Sequence, residues 1–295
     1  MSSIYRSARG RDIITSWCAD RLRAWPVPQE RITVEAGGSP THITAAGPEG
    51  APVVFVPGTN FCAAASLPLA SALVDAGHRV LLPDVPGQPG LSSGERGPAA
   101  GRMSWYGAWL SEVIEQTATG PVTVMGHSFG AAIALSCTSS RIERMILVSP
   151  GGITRLSVPP RLLAASAAWF LRPTAASSRR LLRAMHAPGR QPREELVEWM
   201  TLVARHSRSS GAPAMAEPSQ NTYPRQVVLG THDVFLPVDR LRRAVRARLG
   251  VELDVMAEAG HLLVEEHPQR LAAWAGHDRP RPSRGSAGST DRDRT

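Results

Sequence analysis

Residues 31–46 alternate apolar and polar positions on either side of Gly37-Gly38, a pattern that predicts a two-stranded hairpin. After it the pattern changes to short, continuous apolar runs: 52–58 (PVVFVPG), 78–84 (HRVLLPD), 121–126 (PVTVMG) and 144–150 (RMILVSP). Between them lie stretches with helical spacing at 62–76, 103–118 and 129–138. Continuous apolar strands alternating with helices predict an α/β protein, with a mostly parallel sheet covered on both faces.

The rhythm stops at 151–220. That segment carries helical spacing at 162–170, 178–185 and 194–206, broken by Pro173, Pro188 and Pro213. Strand and helix signals then return at 225–230, 237–248, 251–256 and 267–275. The predicted organisation is a helical N-terminal extension (1–30), a core made of 31–150 and 221–275, and a helical cap insertion (151–220). The last residues, 276–295, are rich in Arg, Pro, Gly and Ser, and their composition predicts disorder.

Composition narrows the function classes. With 42% hydrophobic and 20% charged residues, the chain has the make-up of a globular protein. It has no apolar run long enough for a membrane span, and its first residues lack the apolar core of a secretory signal. A cytoplasmic location is expected. Cys18, Cys62 and Cys137 are odd in number and far apart in sequence, which suits reduced thiols. None has metal-ligand spacing, so neither a metal nor a cofactor is expected.

The net charge of +8 rests wholly on arginine, and 151–220 holds ten Arg against four Glu, a surplus of six. No aromatic platform or nucleic-acid-binding module accompanies that charge, so no nucleic-acid partner is expected. The charge leaves room for an acidic substrate or an acidic partner protein, such as an acidic carrier protein.

The run 122–130, VTVMGHSFG, carries the chemistry. A serine between two nearby glycines, where a strand turns into a helix, is held on a tight turn with its hydroxyl outward. The next helix directs free N–H groups at the same point, where negative charge is favoured. Ser128 is therefore the candidate nucleophile, and it needs a base. His261, in EAGHLLVEEHP beyond the last strand, is the candidate. His127, inside the turn, reads as a packing residue, and His267 as a helix-start residue. Asp233, in LGTHDVF just past a strand end, is the candidate carboxylate to orient His261; Asp254 falls within a strand and Asp239 within a helix.

The order Ser128, Asp233, His261, the GHSFG turn, the loop VPGTN and the run DVPGQPGLS together resemble the α/β-hydrolase superfamily over residues 31–275. The resemblance implies an eight-stranded, mostly parallel sheet with a cap inserted after the sixth strand. It also implies an oxyanion hole formed by the backbone N–H of Phe129 and of Thr59, with Asn60 as the alternative second donor. Relatives that attack with aspartate are excluded by the serine at 128. Two departures stand out: Pro57-Gly58 replaces the usual His-Gly, and the Asp84–Ser92 run is one residue longer than the usual pattern. The implied function is hydrolysis of a carboxylic ester of small or medium acyl size through an acyl-enzyme. The alternatives are a thioesterase acting on carrier-bound acyl chains and a non-hydrolytic biosynthetic member of the fold. Trp169, Phe170, Leu171, Trp199 and Met200 read first as the cap's own core.

Overall fold

The computed structural model describes residues 3–208, 215–216 and 223–276. Helix α1 (Ala8–Ala24) precedes an antiparallel hairpin, β1 (Gln29–Ala36) and β2 (Ser39–Ala46). Then come β3 (Val53–Val56), α2 (Leu67–Asp75), β4 (Val80–Pro83), α3 (Arg102–Thr117), β5 (Val122–His127), α4 (Phe129–Ser136) and β6 (Ile142–Val148). Three helices, α5 (Pro160–Leu171), α6 (Ala175–Met185) and α7 (Glu194–His206), stand between β6 and β7 (Arg225–Gly230). The chain continues through α8 (Val238–Leu249), β8 (Leu253–Met256), α9 (Leu263–Glu266) and α10 (Pro268–Ala275).

The strands form one eight-stranded sheet in the order β1-β2-β4-β3-β5-β6-β7-β8. β2 runs antiparallel to both β1 and β4, and every other pairing is parallel. All four residues of β3 and of β4 are buried, as their unbroken apolar sequences require of strands covered on both faces. One core layer contains Phe55, Met125 and Leu271; the other contains Trp109, Ile133 and Leu241.

The eight strands and the mostly parallel order agree with the sequence reading. The helix expected over 62–76 starts later, at Leu67. Its first five residues instead form a turn, in which the Asp84 carboxylate accepts the Ala63 N–H at 2.7 Å. Pro68 sits in the first turn of the observed helix, the place where a residue with no N–H is tolerated. The tail predicted to be disordered falls, from residue 277 on, outside the described residues. Among the described residues, no helix is long and apolar enough to cross a membrane.

Candidate active site

The turn between β5 and α4 is possible because its neighbours are small. A Cβ on Gly130 would lie 2.0 Å from the Val56 carbonyl oxygen, and one on Gly126 would lie 2.6 Å from the Ala131 Cα. Strand and helix therefore approach to a distance that only glycine permits. Ser128 sits between them at φ 52°, ψ −110°, a region that non-glycine residues rarely occupy and that functional turns often use. Its own backbone is fully engaged. The N–H donates to Val148, and the carbonyl accepts from Ala131, Ala132 and Gly151. The side chain is what the turn leaves free to project.

The structure brings Ser128, His261 and Asp233 together at the C-terminal edge of the sheet. The Ser128 Oγ lies 3.1 Å from His261 Nε2, and His261 Nδ1 lies 2.8 Å from Asp233 Oδ2. With Nδ1–H donating to the carboxylate, Nε2 is left as an acceptor facing the hydroxyl. The second Asp233 oxygen accepts the N–H groups of Phe235 (2.9 Å) and Leu236 (3.0 Å). Burial alone would raise the Asp233 pKa. The charge and hydrogen bond of His261, with the Phe235 N–H, outweigh it and hold the carboxyl below its ordinary value. Asp254, the strand residue set aside above, instead accepts a hydrogen bond from Gln226.

The loop carrying His261 is fixed at three points that its sequence did not disclose. The His261 N–H donates to the Met185 carbonyl at the end of α6 (2.8 Å). Glu266 accepts the Gly260 N–H with one oxygen and the Ala187 N–H with the other, each at 2.7 Å. Both donors are backbone groups, so no residue-type pattern could have announced the bridge. His127 does more than pack: its Nε2–H donates to the His261 carbonyl at 3.0 Å. Burial, reinforced by the neighbouring His261, pushes the His127 pKa down to about 3, so the ring is neutral.

Thr59 follows Gly58 at the cleft, and Phe129 follows Ser128 at the start of α4. Gly58 packs against the nucleophile turn, where an added Cβ would stand 3.3 Å from the Ser128 Cβ. Among the described residues, neither the Thr59 N–H nor the Phe129 N–H has an acceptor. The Asn60 N–H, by contrast, donates to the Gln88 side-chain carbonyl at 2.9 Å. It is spent, which leaves Thr59 rather than Asn60 as the available second donor.

Above the serine lies a cleft of about 640 Å³ lined by residues of β-strand ends, α5, α6 and α7. Trp169, Phe170 and Met200 line it, although sequence reading placed them in the core of the inserted helices. Trp199 does lie in that core, fully buried, and Leu171 is largely exposed. Helical spacing identifies the apolar face of α5 but not whether a neighbour or a void stands opposite. Among the described residues, no Arg, Asp or Glu lines the cleft.

This arrangement can activate a hydroxyl beside two free backbone donors, under an apolar roof. Residues 53–274 match the alpha/beta hydrolase family, and the chain belongs to that family. Within it, the chain is similar to the 2-hydroxy-6-oxononadienedioate/2-hydroxy-6-oxononatrienedioate hydrolase of Klebsiella pneumoniae, at 24% identity over 219 residues. That match spans 66% of this chain and 74% of the relative. In structure it resembles carboxylesterase CesB of Bacillus subtilis, with TM-score 0.74, 17% identity and coverage of 90% and 97% of the two chains. The naproxen esterase of Bacillus subtilis is similar as well, with TM-score 0.70, 19% identity and coverage of 88% and 94%. The protein is a hydrolase of this fold.

Proposed function

We propose that the protein is a serine hydrolase that cleaves uncharged carboxylic esters of small or medium acyl size through an acyl-enzyme. The observation that carries this reading is the Ser128–His261–Asp233 series at 3.1 and 2.8 Å, opening into an apolar cleft. His261 accepts the Ser128 proton as the oxygen attacks the ester carbonyl. The Thr59 and Phe129 N–H groups hold the oxyanion, each contributing about 3 kcal/mol to lowering the barrier. His261 then protonates the departing alcohol, and water repeats the sequence to release the acid. Asp233, ionised at all but strongly acid pH, keeps the imidazole in the tautomer that accepts.

A dioate substrate is the second reading, because the curated relatives are named for one. Such a substrate carries two carboxylates. An unpaired carboxylate in an apolar cleft loses several kcal/mol of hydration with no cation among the described lining residues to replace it, and that lining favours a neutral ester. A carrier-bound acyl chain would dock on the arginine-rich helices. Much of that charge is used within the chain: Arg179 pairs with Glu194, Arg193 with Glu265, and Arg205 donates to the Pro173 carbonyl.

The test compares nitrophenyl esters of neutral acyl groups with an ester of the same length ending in a carboxylate. The neutral ester is expected to turn over with kcat/KM about 100-fold higher, and Ser128→Ala to lower that rate about 10⁴-fold or more. Equal rates for the two esters would overturn the substrate class. An undiminished rate in Ser128→Ala would overturn the mechanism.

A further inference from the structure

The donor loop after β3 is held from two sides at one residue. Asn60 has φ 65°, in the left-handed region that asparagine tolerates better than most residues. On one side its N–H donates to Gln88 Oε1 at 2.9 Å. Gln88 is itself buried, and its amide nitrogen donates to the Gly87 carbonyl at 3.2 Å. On the other side the Asn60 carbonyl accepts the indole N–H of Trp199 on α7 at 2.7 Å. Trp199 is fully buried, and Trp17 of α1 stacks on it with ring centroids 4.7 Å apart and planes tilted by 30°.

Two separate parts of the chain therefore hold the two peptide groups of one residue next to Thr59, and a third backs one of them. Gln88 belongs to the run one residue longer than the family pattern, Trp199 to the inserted helices, and Trp17 to the N-terminal helix. A backbone in an uncommon conformation persists only where its surroundings over-determine it. An oxyanion donor works only if it is aimed before the charge develops.

We propose that Gln88 and Trp199 are positioning residues that clamp Asn60 and so aim the Thr59 N–H at the oxyanion, with Trp17 buttressing the clamp from α1. This rests on the serine-hydrolase reading above. It assigns a role to Gln88 within the longer Asp84–Ser92 run and to the N-terminal helix.

Gln88→Met removes the hydrogen bond with little change of shape, and Trp199→Phe removes the indole N–H at the cost of a smaller ring in a buried site. Each is assayed for kcat and KM on a neutral nitrophenyl ester, for thermal midpoint, and for affinity toward a trifluoromethyl ketone. That ketone gains its tight binding only when Ser128 adds to it and its oxygen becomes an oxyanion. The expected result is a fall in kcat of about tenfold in either variant, with KM within about twofold, since a displacement of an ångström or less has effects of that size. Ketone affinity should fall by the same factor as kcat, and the double variant should lose little more than the worse single one, because both hold one group. Trp17→Leu, which leaves both hydrogen-bonding partners in place, should lower kcat and ketone affinity by a smaller common factor. Should a single variant fail to fold, Trp17→Leu and the remaining variant decide the question by the same readouts. Unchanged kcat and ketone affinity, with only a lower thermal midpoint, would overturn the proposal. A wild-type enzyme inert toward every ester would instead overturn the hydrolase reading on which it rests.

Discussion

Burial keeps His127 neutral in the fold, and the consequence is a pH-dependent stability. In the unfolded chain it takes up a proton near pH 6.5; in the folded protein it does so only near 3. Between those values the unfolded state binds one more proton, so the contribution is complete above about pH 6.5 and declines on acidification toward 3. Moving from pH 7 to pH 5 should therefore cost about 2 kcal/mol through this group. Urea unfolding at the two pH values measures it. His127→Gln, which cannot titrate, should lose about that much of the pH dependence; the same dependence in both proteins would refute the assignment. Asp233 shifts in the same direction: its folded pKa is depressed below the ordinary carboxylate value, so its contribution holds above that value and is lost as pH falls through it. On acidification the loss through His127 therefore begins first, and the loss through Asp233 joins it only in the carboxylate range.

At the scale of elements, close contact between β5 and α4 is the condition for presenting Ser128. Gly130→Ala would drive a methyl group into the Val56 carbonyl and should cost about 3 kcal/mol or more. Gly120→Ala meets open space and should be close to neutral. Midpoints of urea unfolding for the two variants check the contrast, and comparable effects would contradict it. The strands and most helices were legible because each depends on a run of its own residues: β7 and α7 fall where the pattern puts them, at Arg225–Gly230 and Glu194–His206. The start of α2 was signalled by Pro68, which belongs in a helix's first turn, while the hold of Asp84 on the 62–66 turn comes from another loop and has no local signal. Cys18 and Cys62 carry the same lesson. They are 44 residues apart in sequence, yet their free thiols stand 3.7 Å from each other in the fold.

For the molecule as a whole, the three side chains proposed to react could be picked out from sequence, and the fold brings them within hydrogen-bond reach, because their residue types and strand-end positions are restrictive. The groups that hold them could not. Glu266, Gln88 and Trp199 bind backbone N–H or C=O groups, which every residue possesses, across separations of 6 to 139 residues. Nor does spacing tell which helix faces enclose the cleft, since a void and a neighbour demand the same apolar surface. What results is a frame in which α1, the inserted helices and the loop after β4 all bear on the donor loop, while α6 and Glu266 bear on the histidine. The central claim is that Ser128 becomes covalently acylated. Rapid quenching of the enzyme during turnover of a neutral nitrophenyl ester, followed by peptide mass spectrometry, tests it directly. The account predicts the acyl mass on the peptide containing Ser128 and its absence in Ser128→Ala; an acyl group on another residue, or a burst of nitrophenol from an unmodified Ser128, would contradict it.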